Sequence, residues 1–165
     1  MAKTNVLATW QRLSGSGVGR WLFSRLVCAK APYFASISPV FDVLEPGHAV
    51  AHFGKRRAVT NHIGTVHAIA MANLCELVAG TATEVTIPKS MRWIPRGMTI
   101  QYVEKANSRV SAEALLPEIR EDHAQDIVVP VDVTDIDGNV VVRAGITMYV
   151  SPRQNRAQQQ NASNT

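Results

Sequence analysis

Residues 61–80 read NHIGTVHAIAMANLCELVAG. From Ile63 to Thr83 there is no Lys, no Arg and no acid except Glu76. The spacing predicts a helix over about Thr65–Thr81, entered through an Asn-His-x-Gly turn. A helix without a charged face is normally buried. A buried carboxylate is costly unless something pairs with it or uses it, so Glu76 is the residue that needs explaining.

Working outward, each side reads as strands. Ile37–Leu44 and Ala49–Phe53 alternate around a Glu45-Pro46-Gly47-His48 turn, followed by the basic knot Lys55-Arg56-Arg57. After the helix come Met91–Glu104, Val110–Leu116, Ile127–Asp135 and Val140–Val150, the last two joined by Asp137-Gly138, a strong hairpin signal. One apolar helix among antiparallel strands predicts an α+β fold, with the sheet curled around a long central helix. Residues 1–34 form a separate helical lead. Val6, Leu7, Trp10, Leu13, Val18, Trp21, Leu22 and Leu26 fall close to helical spacing, interrupted near Ser14–Gly19. A basic amphipathic lead of this kind can lie on a membrane, but packing across the domain's own sheet is the expected outcome. The chain thus divides into an N-terminal helical extension (1–34), a domain of strands and helix (35–150) and a polar, Gln/Asn-rich tail (151–165) expected to be disordered.

Bulk properties narrow the classes. The 165 residues are 46% hydrophobic and 18% charged, suiting one globular domain. The net charge of +4 comes from scattered Arg and Lys without interleaved aromatics, which gives little case for nucleic acid. A small anionic ligand such as a phosphorylated cofactor fits that excess. Cys28 and Cys75 read as buried thiols, not a disulfide framework. No membrane span and no signal-peptide core are expected, and the reading is cytoplasmic.

On a helix, nine residues between His67 and Glu76 place the two about half a turn out of phase and ~13 Å apart along the axis. One helix therefore cannot bring both to one substrate atom. Either their jobs are unrelated, or two chains assemble each site about a twofold axis. Free N–H groups at the helix start can hold an anion or the oxyanion of an acyl-transfer intermediate. Gly64 permits an unusual backbone angle there. The plainer alternatives are an ion pair of Glu76 with Arg92 or Arg96, an ordinary helix-start role for His67, and a turn-capping role for Asn61.

The pattern Asn61-x-x-Gly64-x-x-His67, with an acid nine residues on, resembles the hotdog-fold acyl-CoA thioesterases of the PaaI type. More specifically, Asn61-His62-x-Gly64-x-x-His67-Ala68-Ile69-Ala70 and Ile94-Pro95-x-Gly97-x-x-Ile100-x-Tyr102-x-x-Lys105-Ala106 resemble the DUF4442 family of hotdog proteins, over roughly residues 35–150. The resemblance implies a five- or six-stranded antiparallel sheet around the helix and a homodimer, or a dimer of dimers. It implies an acyl-CoA thioesterase that takes its acyl thioester as a small-molecule substrate, with no cofactor and no metal. Glu76 would activate water or attack the thioester, the amide of Ala68 would form the oxyanion hole of the opposite subunit, and Asn61 and His67 would position the carbonyl. Lys105, and Arg92 after it, would meet the cofactor phosphates. The chain has His67-Ala68-Ile69 where those thioesterases usually have His-Gly-Gly, and Glu where many have Asp. The alternatives are a non-catalytic acyl-thioester-binding protein and a 3-hydroxyacyl-thioester dehydratase using His62 with Glu76.

Overall fold

The computed structural model describes residues 6–153. Two helices, α1 (Val6–Leu13) and α2 (Gly17–Lys30), lead through a 3-10 turn to strands β1 (Val40–Glu45) and β2 (His48–Phe53). The long helix α3 (Ala68–Thr86) follows, then β3 (Met91–Tyr102), β4 (Val110–Leu115), β5 (Gln125–Thr134) and β6 (Val140–Pro152). The six strands form one antiparallel sheet in the order β1-β2-β4-β5-β6-β3. The α3 connection therefore carries the chain from β2 to the opposite edge, where β3 pairs, among the described residues, only with β6. This is the expected α+β hotdog architecture.

Side-chain size explains why the helix fits inside the sheet. The inward positions of β2 and β4 pair alanine with alanine, Ala49 opposite Ala114 and Ala51 opposite Ala112, and all four are fully buried. Those short side chains leave room for Leu74, Cys75, Leu77 and Val78 of α3, each 1% exposed or less. β5 alternates cleanly, with Ile127, Val129, Val131 and Val133 inward. Its Pro130 stands just beyond the last residue that pairs with β4, where a missing N–H is tolerated. The leading helices share this core. Trp10, Phe23 and Phe41 meet edge-to-face with centroids 5.1–6.5 Å apart, and buried Ser24 donates to the Arg20 carbonyl and accepts from the Phe41 amide.

Several expected bounds change: the first strand begins at Val40 rather than Ile37, because Pro32–Ile37 close a 3-10 helix and Ser38 turns left-handed at φ 50. The long helix begins at Ala68 rather than Thr65, because Val66 and His67 are held by backbone bonds to Ala106 and Val59. It continues past Thr81 to Thr86, through a β-branched run of poor intrinsic propensity. Burial and back-bonding hold that last stretch: Thr81, Thr83 and Thr86 donate to the carbonyls four residues earlier. Pro88 then forces Ile87 into extended backbone. At the C-terminus, Ser151 and Pro152 still belong to β6, and Arg153 is anchored to the Ser90 and Met91 carbonyls. The disorder expected of the tail otherwise concerns residues outside those described. Among the described residues α3 alone is long and apolar enough to cross a membrane, and most of it is buried inside the protein.

Candidate active site

The turn before α3 is built by Asn61. Its Oδ1 accepts from the amides of Ile63 and Thr65, and its Nδ2 donates to Thr65 Oγ1 at 2.7 Å. Gly64 sits at φ +79, a backbone conformation that suits glycine. These bonds are those of the turn-capping alternative. His62 is exposed on the same turn.

His67 is the N-cap of α3, not a residue within it. Its backbone is extended, and Nδ1 accepts from the Ile69 amide at 3.1 Å. The His67 carbonyl takes the amides of Ala70 and Met71. The amide of Ala68 is left without an acceptor among the described residues. It is the donor the sequence singles out, at the positive end of a 19-residue helix. Tyr102, at the end of β3, donates its phenol to the Ala68 carbonyl at 3.3 Å. Desolvation by burial, and then the neighbouring Cys75, push the Tyr102 pKa up and keep that phenol protonated.

Glu76 stands two turns further along. Ala68 to Glu76 spans eight residues, ~12 Å along the axis. The carboxylate is half-buried, and it makes no hydrogen bond or ion pair among the described residues. The expected full burial is thus not found in the single chain. Neither expected arginine reaches it. Arg92 donates to Ser151, while Arg96 pairs with Asp126 and lies 3.6 Å over the Tyr149 ring. The paired acid on this helix is Glu84, which accepts from Trp93 Nε1 at 2.7 Å. Trp93 crosses the helix at Gly80, where a Cβ would stand 2.9 Å from the indole. The sequence gives no warning of either contact, because the strand and helix involved meet only in three dimensions.

A bulge between Pro95 and Gly97 switches the parity of β3, so that Met98, Ile100 and Tyr102 face the helix side of the sheet. Met98 and Tyr102 are nonetheless exposed, as is Ile69, 57% accessible and two turns before Glu76 on the same face of α3. Gly80, against Trp93, lies on that same face of α3, and the Ala68 carbonyl meets Tyr102, so the face that carries Glu76 runs alongside β3. Lys105 is exposed next to Ala106, whose carbonyl takes the Val66 amide, so it lies at the Ala68 end. Arg92 lies at the other end of β3, ~33 Å along the strand from Tyr102. One chain therefore brings Asn61, Gly64, His67, Ala68 and Lys105 together, and leaves Glu76 and Arg92 apart from them.

A family model described as a domain of unknown function, DUF4442, matches residues 19–150. The chain belongs to the DUF4442 family. That match begins inside α2, so part of the helical lead lies within the family's domain. A crystal structure from a genomics programme shares 46% identity with this DUF4442 chain, covering 90% of it and 99% of the other, at a TM-score of 0.79. A Pseudomonas aeruginosa protein described as a probable thioesterase shares 22% identity over 79% of this chain and 93% of its own, at 0.72. A Haemophilus influenzae thioesterase shares 11% over 79% and 90%, at 0.70. At those identities the two thioesterases establish the shared fold. No curated protein sequence matches the DUF4442 chain.

Proposed function

We propose that this DUF4442 protein is an acyl-CoA thioesterase whose active sites are shared between two chains. The observation that carries the reading is Glu76: a carboxylate on the core helix, half-buried, unpaired among the described residues and on the helix face that runs alongside β3. A structural acid in that position would be expected to hold a partner, as Glu84 does. The thioesterase names of the P. aeruginosa and H. influenzae structures agree with this reading.

The chemistry follows from the two separated groups. Glu76 takes a proton from water as its oxygen adds to the thioester carbonyl. The oxyanion is held by the Ala68 amide of the second chain, reinforced by the helix dipole. Collapse breaks the C–S bond, and the proton on Glu76 passes to the departing thiolate, giving free acid and thiol. Asn61 and His67 hold the backbone of the oxyanion loop in shape. Lys105 meets the cofactor phosphates as a point charge, and Arg92 is the more distant candidate.

The twofold arrangement is supported by the unsatisfied edge of the sheet. β3 is twelve residues long, pairs on one side only among the described residues and exposes Ile94, Met98 and Tyr102, the kind of edge that proteins cover. The test is thiol release from short, medium, long and aromatic acyl-CoAs. The native protein is expected to hydrolyse at least one class, and Glu76→Ala to lower its rate by about 10²–10⁴-fold without loss of folding. Unchanged turnover in Glu76→Ala would remove the acid from the mechanism. Ligand-induced thermal shifts with no thiol released would favour an acyl-thioester-binding module. Double-bond absorbance from a 3-hydroxyacyl thioester, lost in His62→Ala, would mark a dehydratase.

A further inference from the structure

The charge of this chain is distributed unevenly. Residues 1–41 hold five basic side chains and no acid, and the first carboxylate is Asp42. The other 124 residues hold twelve basic against thirteen acidic groups, so the whole excess of +4 belongs to the helical lead. That lead also has an unpartnered apolar face. α2 turns Gly19, Phe23, Ser24 and Cys28 inward. Its outer arc carries Val18 at 77%, Trp21 at 52%, Leu22 at 42% and Leu26 at 46% exposure. Tyr33, 71% exposed, extends the arc beyond the helix end. The one charged residue on the arc, Arg25, donates to the Pro39 carbonyl and stacks 6.0 Å from Trp21. A helix that packs through one side normally shows a polar opposite side, and this one does not.

We infer that the outer face of α2 docks the protein on an anionic lipid surface. The helix is 14 residues, ~21 Å, long enough to lie in the interface plane with Val18, Leu22 and Leu26 below it and Trp21 and Tyr33 at headgroup level. Arg12, in the last turn of α1, and Lys30, in the last turn of α2, are exposed. The basic knot Lys55-Arg56-Arg57 adjoins Tyr33's turn, since Arg56 donates to the Ser36 carbonyl and to Ser38 Oγ. A second copy of this chain fits the face poorly. A twofold contact would set basic lead against basic lead, with no acid before Asp42 to answer it. Anionic headgroups supply the missing charge, and the acyl region supplies the apolar partner.

The test is co-sedimentation of the full chain with phosphatidylcholine vesicles, with and without phosphatidylglycerol. Binding is expected to the anionic vesicles only and to weaken with salt. Trp21→Ser with Leu26→Ser is expected to lower partitioning by roughly tenfold or more, and Arg12→Gln with Lys30→Gln by roughly fivefold per charge. All four positions are exposed or on the outer arc, so melting temperatures should stay close to native. Failure to bind anionic vesicles overturns the proposal, as does equal binding to both vesicle types or binding unchanged in Trp21→Ser/Leu26→Ser. If that variant instead lowers the molar mass in light scattering, the face belongs to a second copy and lipid docking falls. None of these readouts depends on thioester hydrolysis.

Discussion

Single residues set the tolerances around α3. Gly80 has no Cβ because the Trp93 ring occupies that space, pinned from its far side by the Glu84 carboxylate. Gly80→Ala should cost about 1–3 kcal/mol, read as a lower urea midpoint with unchanged slope; a midpoint within error of native would mean that Trp93 swings aside freely. Gly64→Ala should cost about 1–2 kcal/mol for a different reason, the left-handed φ of +79 with open space around the added methyl. Cys75 reports on the core itself. Desolvation by burial, foremost, pushes its pKa up from 9.0 to about 12. The folded state therefore keeps the thiol neutral while the unfolded chain ionises, and stability is lost as pH rises from about 9 toward 12. Urea midpoints across that range should fall less steeply in Cys75→Ala than in the native protein, and equal slopes would assign the alkaline loss to other groups. The Glu76 anomaly was legible in the sequence because charge on an apolar helix is visible in one dimension. Its lack of an arginine partner was not legible, since Arg92 and Arg96 choose Ser151 and Asp126 through the register of β3, β5 and β6.

At the scale of elements, the strands were read well because a half-buried sheet writes itself as alternation, cleanest in β5. The helix ends were read less well. Its start is decided by tertiary bonds from Val66 to Ala106 and from His67 to Val59, and its last turn by threonines whose hydroxyls return to the helix backbone. Propensity sees neither. The N-cap deserves its own measurement, because His67 serves the helix through Nδ1 and serves the proposed site by presenting the next amide. His67→Ala should lose about 0.5–2 kcal/mol of stability, and His67→Asn should recover most of it by restoring an acceptor for the Ile69 amide. If thiol release follows stability and returns with Asn, the imidazole acts by holding the loop. Activity that stays low in a restored His67→Asn would place the ring on the substrate.

For the whole molecule, the decisive relation is the ~12 Å between the Ala68 amide and Glu76, too far for both to reach one carbonyl from a single chain. The sequence reached this separation by counting residues, although it put His67 inside the helix rather than at its cap. Shared sites can be tested by mixing two inactive chains. Glu76→Ala removes the proposed base. Ala68→Pro removes the proposed oxyanion donor with little damage to the fold: proline is accepted at the first helical position, and the preceding His67 already has the extended backbone that proline requires. Each variant alone should be inactive and dimeric. In a mixed dimer the two defects fall in one site, and the other site keeps Glu76 from one chain and the Ala68 amide from its partner. Equal mixing makes half of the dimers mixed, each with one of its two sites intact, so activity should return to about a quarter of native. Recovery that grows with subunit exchange and disappears when exchange is blocked by chemical cross-linking establishes the composite site. No recovery despite exchange, measured by mass-tagged chains, would place both groups in one chain's site and overturn the shared arrangement.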